Sequence, residues 1–463
     1  MQLDHESCRR ARITRDPRFD GRFFIAVRTT SIYCRPICPA PSPKEQNVEY
    51  FPSAAAAAQA GYRPCLRCRP EASPGTPAWL GASATVSRAL RLIGESALDE
   101  DSVESLSERL GIGSRHLRGL FVSHLGASPV AIAQTRRLHF AKKLIDETDL
   151  AFTEIAMASG FGSIRRFNHV FQALYARTPT DLRRLTRKRP DCAPGSYRFR
   201  LPFRPPYDWE AIHSFLAARA IPLVETVTPE AYMRTIELNG RPGRIEVRKT
   251  EGALDLRVEF PDTRLLFLIV ERVRRIFDLA ADPHDIEAAL AADPVLARRI
   301  MRRPGLRVPG AWDSFELSVR AILGQQISVK GASTIAGRLA AAFGTPFGNA
   351  RLFPSREALA SAPIEQCGVT RSRAATIRAL AASTVNLEQI DEIPGIGPWT
   401  VQYVAMRALG EPDAFPAGDL VLQRAASCRT SKELEARAEA WRPWRAYAAM
   451  HLWQGVRDDA GIP

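Results

Sequence analysis

The sequence predicts a multidomain protein that is mainly α-helical and contains α+β parts. Its 463 residues are enough for about three domains at roughly 150 residues each. Helical periodicity covers residues 86–188 and the region from Asp285 onward, whereas strand-like patterns are confined to two other regions. Polar segments that contain proline, at 71–79 and 187–195, are typical of linkers. These observations divide the chain into four units: residues 1–75, 80–188, 196–302 and 303–463.

The charge of the chain indicates a polyanionic partner. A formal net charge of +14 and a pI near 9.8 favour binding to DNA or RNA, with a general basic bias of the proteome as the alternative. The hydrophobic fraction of 45% is ordinary, and no apolar run approaches the ~18 residues of a membrane span. The N-terminus MQLDHESCRRAR lacks the apolar core of a secretory signal. We therefore expect a cytoplasmic, nucleoid-associated protein with no membrane partner.

The first unit is predicted to be a small α/β domain built around a metal. Residues 23–27 and 29–33 have strand patterns, and the alanine-rich stretch 54–60 predicts a helix. Four of the eight cysteines form two close pairs in this unit, as four zinc thiolates would, whereas two unrelated cysteine pairs are the alternative. Because a domain of this size has little core, one zinc ion would contribute much of its folding free energy. The predicted ligands are Cys34, Cys38, Cys65 and Cys68.

The motifs FFIAVRTTSIYCRPIC, NVEYF and AGYRPCLRCRP within residues 17–70 resemble the N-terminal domain of Ada-type DNA methylphosphotriester repair proteins. The resemblance implies that Cys34, the first zinc cysteine, irreversibly accepts a methyl group from a damaged backbone phosphate. Neutralising one thiolate would make this surface less repulsive to phosphate and tighten DNA binding. The alternative is that Cys34 is an inert metal ligand.

The second unit contains an internal repeat. The sequence GIGS at 111–114 recurs as GFGS at 160–163, and Ser128-Pro129 recurs as Thr178-Pro179. Each copy has a short helix, a glycine-containing turn and a second helix, which is helix-turn-helix spacing. An ordinary helical bundle with solvated arginines is the alternative.

This repeat resembles the DNA-binding domain of AraC-type regulators, a double helix-turn-helix that contacts successive major grooves. The resemblance implies recognition helices at about 114–124 and 163–174, joined by a helix at 129–145 that carries four further basic residues. Promoter DNA is then the expected partner, and RNA polymerase is a candidate second partner. The side chains expected to contact DNA are Arg115, Arg118, Arg165, Arg166 and Asn168.

The third unit has the pattern of an antiparallel-sheet α+β domain. Strand-like stretches at 232–238, 244–249 and 253–260 lie between predicted helices at 209–220 and 263–278. No cluster with catalytic character occurs in it. Asp208 and Glu225 are interpreted as helix caps and surface charges.

The fourth unit is predicted to be entirely helical, and residues 393–419 carry its chemistry. The turn Pro394-Gly395-Ile396-Gly397 leaves uncovered the amides of the following helix, which is a natural seat for phosphate. Trp399 and Tyr403, four residues apart, share one helix face, and a turn then leads to the single carboxylate Asp419. The alternatives are two core aromatics and an N-cap aspartate.

Residues 197–455 resemble AlkA-type 3-methyladenine DNA glycosylases of the helix-hairpin-helix superfamily. The resemblance is carried, in order, by PPYDW, ARAIPLVETV, RPGLRVPG, FELSVRAILGQQIS, IPGIGPWT, the Asp419 turn and WRPWRAYAAMHLW. It implies that the hairpin at 393–400 binds phosphates beside a flipped nucleotide. Asp419 would stabilise the oxocarbenium sugar and help to position water. Gln326 lies at a position that holds an aliphatic wedge in some members. The implied DNA-binding residues of the hairpin are Pro394, Gly395, Gly397 and Thr400. The implied substrate contacts are Trp399, Tyr403, Trp453 and Gln326.

Several absences narrow the expected reaction. Bifunctional relatives place a lysine where this chain has Trp399, so we expect hydrolysis without strand cleavage. No four-cysteine run lies near the C-terminus, so no iron–sulfur cluster is expected. The Ada-type PCHR nucleophile is also absent, and direct reversal of O6-methylguanine is not expected.

The leading hypothesis is therefore a monomeric alkylation-response protein. Its N-terminal half would sense methylated phosphates and regulate transcription, and its C-terminal half would excise alkylated purines from double-stranded DNA. The alternative is a transcription regulator with a vestigial glycosylase domain. The connections at 380–393 and 425–438 are shorter than the family usually shows, which leaves the range of excised bases open.

Overall fold

The computed structural model describes residues 4–74, 84–99, 101–185, 193, 195–385 and 387–459. In its first unit, two helices flank a four-stranded mixed sheet with the order β3-β1-β2-β4. Strand β1 is antiparallel to β2 and β3, and β4 is parallel to β2. The strands at 23–27 and 29–33 and the helix at 54–60 are confirmed with small shifts at their ends. The elements are α1 His5–Thr14, β1 Phe24–Val27, β2 Ile32–Cys34, β3 Val48–Phe51, α2 Ala54–Gln59 and β4 Arg63–Pro64.

The second unit contains the two predicted helix-turn-helix copies. Side-chain caps start most of these helices, because the hydroxyls of Ser102, Ser128, Ser163 and Thr178 accept backbone N–H groups of the first turn. The first copy shares a hydrophobic cluster with α2, and the second shares one with the sheet of the third unit. The helices are α3 Ala84–Gly94, α4 Val103–Arg109, α5 Ser114–Leu125, α6 Pro129–Glu147, α7 Phe152–Ala158, α8 Ile164–Tyr175 and α9 Pro179–Arg184.

The third unit is an antiparallel five-stranded sheet with two helices, as predicted. The strand order is β5-β9-β8-β7-β6. Alternate residues of the central strands, such as Ile245, Val247, Leu256 and Val258, are fully buried because side chains at every second position face the helices. The elements are β5 Ser196–Pro202, α10 Trp209–Ala218, β6 Glu225–Val227, β7 Ala231–Leu238, β8 Arg241–Thr250, β9 Ala253–Glu259 and α11 Leu266–Ile276.

The fourth unit is helical apart from one short hairpin, β10–β11, which the prediction of an entirely helical region missed. Two hydrophobic clusters fill this unit, and Tyr403 packs against both. Tyr403 therefore lies at the boundary between the two hydrophobic clusters. Two helices at the end of the third unit, α12 Pro283–Leu290 and α13 Pro294–Arg302, lead into the fourth. The elements of the fourth unit are α14 Ser314–Leu323, α15 Val329–Phe343, β10 Pro346–Phe347, β11 Ala350–Arg351, α16 Arg356–Ala360, α17 Arg371–Ala382, α18 Pro398–Arg407, α19 Leu420–Ala425, α20 Ser431–Ala438 and α21 Arg445–Asp459.

A buried ionic network joins the sheet to α14. Arg234 on β7 donates to Glu316 (Nη2 to Oε2, 2.6 Å), and Arg320 lies 3.1 Å from Glu225. Tyr232 also donates to Glu225, at 2.6 Å. The interpretation of Glu225 as a surface charge is wrong, because it is buried and two arginines compensate its charge. Asp208 does cap a helix, since it accepts the N–H of Ala211 at 3.0 Å.

The first unit packs on the C-terminal half through a buried arginine. Arg204 is 0% exposed and donates from Nε to the carbonyl of Asp20 (2.9 Å) and from Nη1 to that of Ala280 (3.0 Å). Arg22 pairs with Asp285 at 2.7 Å beside it. In the described part of the chain, no helix is long and apolar enough to cross a membrane.

We expect Arg234→Met to lower the free energy of unfolding of the C-terminal half by about 3 to 5 kcal/mol, because it leaves the Glu316 charge buried without its main partner. Chemical denaturation followed by tryptophan fluorescence measures this. The control Arg257→Met removes an exposed ion pair of the same sheet and should change the free energy by less than about 1 kcal/mol. Equal losses in both variants would contradict the role of the buried network.

Candidate functional site

The predicted hairpin requires glycine at its tip. Gly395 has a φ of +91°, and a Cβ atom there would lie 2.1 Å from Oγ1 of Thr376. The same hydroxyl donates to the carbonyl of Pro394 at 3.0 Å, so α17 holds the turn directly. Pro394 and Gly395 are exposed, and Gly397 is the N-cap residue of α18. The exposed turn and the helix N-terminus therefore face solvent together, as an anion site requires.

The side chain of Thr400, which was predicted to contact DNA, does not lie at the surface. Its side chain is buried, with 1% of the residue exposed, and Oγ1 accepts an N–H of Gln325 at 3.2 Å. As the third residue of α18, it precedes Val401, whose N–H makes the first helical bond to Gly397 (3.2 Å). The N–H of Thr400 belongs to the first turn of α18 and so has no partner within the helix.

The loop after α14 is fastened to this hairpin. Gln325 donates from Nε2 to the carbonyl of Gly395 (3.3 Å) as well as to Thr400, and Arg373 donates to the carbonyl of Gln325. Gln326 is exposed at the tip of the loop in a left-handed conformation, φ +57°. A non-glycine residue in that region is under strain, which tends to mark functional positions. Sequence analysis identified Gln326 but missed Gln325, although the motif GQQIS contains both.

Three half-buried aromatic side chains, on α18 and α21, contact one another, and the site that they border is called the aromatic cleft below. The Trp399 and Tyr403 rings stack with centroids 5.0 Å apart and planes at 10°. Trp453 on α21 meets Tyr403 edge-on, with centroids 6.4 Å apart. All three side chains are half-buried, and Tyr403 and Trp453 also pack against the hydrophobic clusters of this unit, as the alternative interpretation held. The stacked pair and the edge-on ring leave π surfaces on one cleft.

Asp419 lies against both tryptophans. Its Oδ2 accepts the indole N–H of Trp399 at 3.1 Å, and Oδ1 accepts that of Trp453 at 3.2 Å. Oδ1 also accepts the backbone N–H groups of Val421 and Leu422, at 2.9 and 3.0 Å. Asp419 is thus the N-cap residue of α19, as the alternative interpretation held, and the same carboxylate also faces the aromatic cleft. Four donors from three helices fix its orientation.

Two arginines stand behind the cleft. Arg407 donates from Nη1 to the hydroxyl of Tyr403 at 2.7 Å, and its other nitrogens donate to the carbonyls of Pro309 and Gly310. Burial alone would raise the pKa of Tyr403, but the guanidinium groups of Arg407 and Arg219 outweigh it and lower this pKa to about 8. Sequence analysis missed both arginines, because their burial depends on contacts between distant segments.

The four predicted cysteine ligands converge. Their sulfur atoms all lie within 4.8 Å of one another, with Cys65 and Cys68 buried and Cys34 and Cys38 half-buried. A tetrahedral zinc ion with Zn–S bonds of about 2.3 Å holds its sulfurs roughly 3.8 Å apart, so the cluster fits that ion. The predicted collection of four thiols at one point is confirmed.

Arg35, which sequence analysis did not single out, supports this cluster. Its backbone N–H donates to Sγ of Cys68 at 3.3 Å, and its Nη1 donates to the Cys68 carbonyl at 3.1 Å. Its Nε donates to Oδ1 of Asp20 at 2.8 Å, so a carboxylate fixes the guanidinium. Arg35 is largely buried in these contacts, beside the half-buried Cys34.

The predicted recognition helices coincide with α5 and α8. Two exposed histidines on these helices, His116 and His169, lie among the side chains predicted to contact DNA but were not themselves included in that prediction. On the connecting helix, by contrast, Arg136 and Arg137 pair with acidic groups of neighbouring elements, so they support packing. Arg118 forms an ion pair with Glu104 at 2.8 Å. All five side chains that are predicted to contact DNA are exposed: Arg115, Arg118, Arg165, Arg166 and Asn168.

Comparisons with known families match all four units. Residues 7–71 match the metal binding domain of Ada, and residues 106–185 match a helix-turn-helix domain. Residues 198–313 match the AlkA N-terminal domain, and residues 319–446 match the HhH-GPD superfamily of base excision DNA repair proteins. The identified resemblances are thereby confirmed.

Some similar proteins cover nearly the whole chain, and others cover part of it. DNA-3-methyladenine glycosylase 2 of Escherichia coli is 31% identical over 55% of this chain and 96% of its own. The solved 3-methyladenine DNA-glycosylase of Archaeoglobus fulgidus shares the fold, with a TM-score of 0.50 and 23% identity, over 55% of this chain and 96% of its own. The probable bifunctional transcriptional activator/DNA repair enzyme AlkA of Mycobacterium tuberculosis is 41% identical over 98% of this chain and 97% of its own length. The chain therefore belongs to the family of bifunctional transcriptional activator/DNA repair enzymes AlkA.

Proposed function

We propose that the C-terminal half excises alkylated purines such as 3-methyladenine from double-stranded DNA by hydrolysis. The observation that carries this proposal is the carboxylate of Asp419, held by the indole N–H groups of Trp399 and Trp453 at one end of a half-buried aromatic cleft. The fastened hairpin beside the cleft supports it, because a phosphate site next to a base pocket suits a flipped nucleotide.

The cleft selects the damaged base by its charge. Alkylation at N3 or N7 makes a purine nucleoside cationic and electron-poor. Such a ring is attracted to the π-systems of Trp399, Tyr403 and Trp453, and each cation–π contact contributes on the order of 1 to 2 kcal/mol in a desolvated site. The same charge makes the base a good leaving group, so the reaction depends little on a general acid.

Asp419 acts on the sugar. As the C1′–N bond breaks, its electron pair leaves with the base, which becomes neutral, and positive charge develops on the sugar ring. The Asp419 carboxylate stabilises that charge, and its fixed orientation requires no reorganisation during the reaction. Water then adds to C1′ and loses a proton. The chain has Trp399 where a Schiff-base lysine would stand, so the product is an abasic site in an intact strand.

The hairpin and the neighbouring loop hold the DNA around that nucleotide. Pro394, Gly395 and Gly397 form the phosphate seat, with the amide of Thr400 at the helix N-terminus. Gln326 enters the gap that the flipped base leaves in the duplex, since it stands exposed on a loop tied to the hairpin. A wedge at this point keeps the duplex from closing.

The N-terminal half is a sensor of methylated phosphates. One zinc ion, when bound by Cys34, Cys38, Cys65 and Cys68, would keep all four sulfurs as thiolates. Sγ of Cys34 attacks the methyl carbon of a phosphotriester, an S–C bond forms, the C–O bond breaks, and the phosphate regains its negative charge. The choice of Cys34 follows the resemblance to Ada-type domains. Cys34 and Cys38 both keep some exposed surface, whereas Cys65 and Cys68 are buried and Cys68 accepts the N–H of Arg35.

Methyl transfer then changes the affinity of the whole chain for DNA. The reaction removes one negative charge from the sensor surface, which favours contact with phosphates. The two recognition helices read promoter DNA through their exposed polar residues, and RNA polymerase is the partner through which such a regulator activates transcription. The protein acts as a monomer on nucleoid DNA in the cytoplasm.

We expect Asp419→Asn to slow release of 3-methyladenine from alkylated duplex DNA by about a hundredfold or more, because it removes the charge that stabilises the sugar cation. Asparagine remains a good N-cap, so α19 should stay folded. The measurement is base release under single-turnover conditions.

Asp293→Asn is a matched control for that variant. Asp293 also caps a helix and accepts an indole N–H, from Trp441 at 3.1 Å, but Trp441 is buried in the core. Its release rate should stay near that of the wild type. Wild-type release by Asp419→Asn would rule out the proposed mechanism, and no release by the wild type would favour the vestigial-domain alternative.

We expect Gly395→Ala to weaken binding to abasic-site DNA, because the new methyl group collides with Thr376 and the left-handed turn disfavours a side chain. Equilibrium binding to a fluorescent duplex measures the loss. The double variant Gly395→Ala with Thr376→Ala removes the collision but not the backbone strain, so it should recover part of the affinity. Unchanged affinity in the single variant would contradict the role of the hairpin.

We expect the full chain to gain one methyl group on Cys34 when it is incubated with methylphosphotriester DNA, as peptide mass spectrometry can measure. Cys34→Ser should gain none, whereas Cys367→Ser, which removes a buried cysteine far from the cluster, should behave as the wild type. A methyl group on Cys38 instead would refute the assignment of Cys34.

A further inference from the structure

The back wall of the aromatic cleft carries positive charge, which is unexpected in a pocket for cationic bases. Arg407 is 4% exposed, and its three kinds of nitrogen all donate: Nε to Pro309 (2.7 Å), Nη2 to Gly310 (3.0 Å) and Nη1 to the Tyr403 hydroxyl (2.7 Å). These bonds fix the guanidinium at the Tyr403 hydroxyl, with its central carbon 5.4 Å from the centre of the Tyr403 ring. A cationic base beside Tyr403 would therefore meet a like charge.

A second guanidinium adds to this field. Arg219, just after α10, lies 3.7 Å from the centre of the Phe215 ring, and Arg407 lies 4.8 Å from the same ring. Arg320 on α14 donates to the Arg219 carbonyl and so holds this segment in place. Both Arg219 and Arg407 act on the Tyr403 oxygen, which is the polar end of a half-buried ring.

Other charged or titratable groups also lie near Tyr403. Arg320 on α14 acts on the phenol as a third positive charge and is itself paired with Glu225 and Glu316. Asp419 is the acidic group held at the tryptophan end, against Trp399 and Trp453. On α21, burial lowers the pKa of His451 to about 4, so this histidine stays neutral between pH 6 and 9. Arg457 on the same helix adds a further positive charge near Arg219.

We propose that Tyr403 is an ionisable specificity residue, whose phenolate form, held by Arg407 and Arg219, favours cationic alkylated purines over neutral damaged bases. The proposal rests on the base-excision function proposed above and deepens it. Loss of the phenolic proton places a negative charge on the aromatic ring beside the base, and the two guanidinium groups stabilise that charge. The neutral phenol instead leaves the positive field of the back wall unbalanced.

The two forms of Tyr403 exchange close to neutral pH. The arginines hold the pKa of Tyr403 at about 8, below the usual value of a tyrosine, even though burial acts in the opposite direction. Because this pKa is lowered, the phenolate gains population as the pH rises through about 8. Preference for a cationic base should therefore increase with pH, whereas release of a neutral base should show no such increase.

The test compares two bases across pH with the full-length, zinc-loaded protein. Single-turnover release of 3-methyladenine, a cationic lesion in DNA, is measured against release of 1,N6-ethenoadenine, a neutral one, from duplexes of the same sequence. The ratio of the two rates should rise roughly tenfold between about pH 6.5 and pH 9.5 in the wild type. Tyr403→Phe should hold the ratio low and flat.

Two further measurements separate ionisation from packing. The difference in ultraviolet phenolate absorbance between the wild type and Tyr403→Phe should appear near pH 8. Tyr197→Phe, which changes a half-buried tyrosine on β5 whose pKa is raised, should keep the wild-type ratio and its slope. This control shows that the loss of any half-buried hydroxyl does not flatten the profile.

The outcomes are distinct. A flat ratio in an active wild type, or no phenolate absorbance until the pH approaches that of an ordinary tyrosine, overturns the role of Tyr403 and leaves base excision standing. Release of neither base at any pH overturns base excision itself, and the proposed selection with it. A rising ratio that persists in Tyr403→Phe assigns the pH dependence to another group and also refutes the proposal.

Discussion

The buried pairing of Arg234 with Glu316 is the interaction on which the geometry of the C-terminal half depends. Helix α14 carries Glu316 into the core with compensating charge from Arg234 on the sheet and from Arg320 on the same helix. The pairing therefore fixes how the helix lies on the sheet. The same helix leads into the loop that holds Gln325, and Gln325 donates a hydrogen bond to the carbonyl of Gly395 in the hairpin. The hairpin in turn begins α18, which carries Trp399 towards Asp419. The buried ion pair between Arg234 and Glu316 thus contributes to the alignment of Trp399 with Asp419.

The parts of this architecture that sequence analysis predicted are those encoded locally. The hairpin glycines, the pair of cysteine motifs and the repeated helix-turn-helix pattern each lie within a few residues, so spacing alone reveals them. Gln325 was missed because its partners lie 70 and 75 positions away. Glu225 was misjudged for the same reason, since a charged residue is recognised as buried only when its distant partners are known. The β10–β11 hairpin was missed because two-residue strands carry no periodic pattern.

Asp419 illustrates why a structural and a functional interpretation of one residue need not compete. Its Oδ1 receives two backbone N–H groups, as in any N-cap, and each oxygen also receives an indole N–H from the cleft. The cap fixes the carboxylate with bonds that already stabilise the fold, so a precise orientation is obtained without additional strain. Tyr403 is similar, because it packs against both cores of the helical unit while its ring borders the cleft.

The contacts of Arg204 affect how one molecule can bind DNA at both of its reactive centres. It is fully buried and binds carbonyl groups of both the thiolate-bearing unit and the sheet-bearing half. These bonds tie the two units to each other, so packing contacts as well as the linker influence the distance between the two reactive centres. A single duplex that touches both centres must follow the contour between them. Simultaneous engagement then becomes a question of DNA curvature, and sequences that bend readily towards the protein would be engaged at the lowest deformation energy.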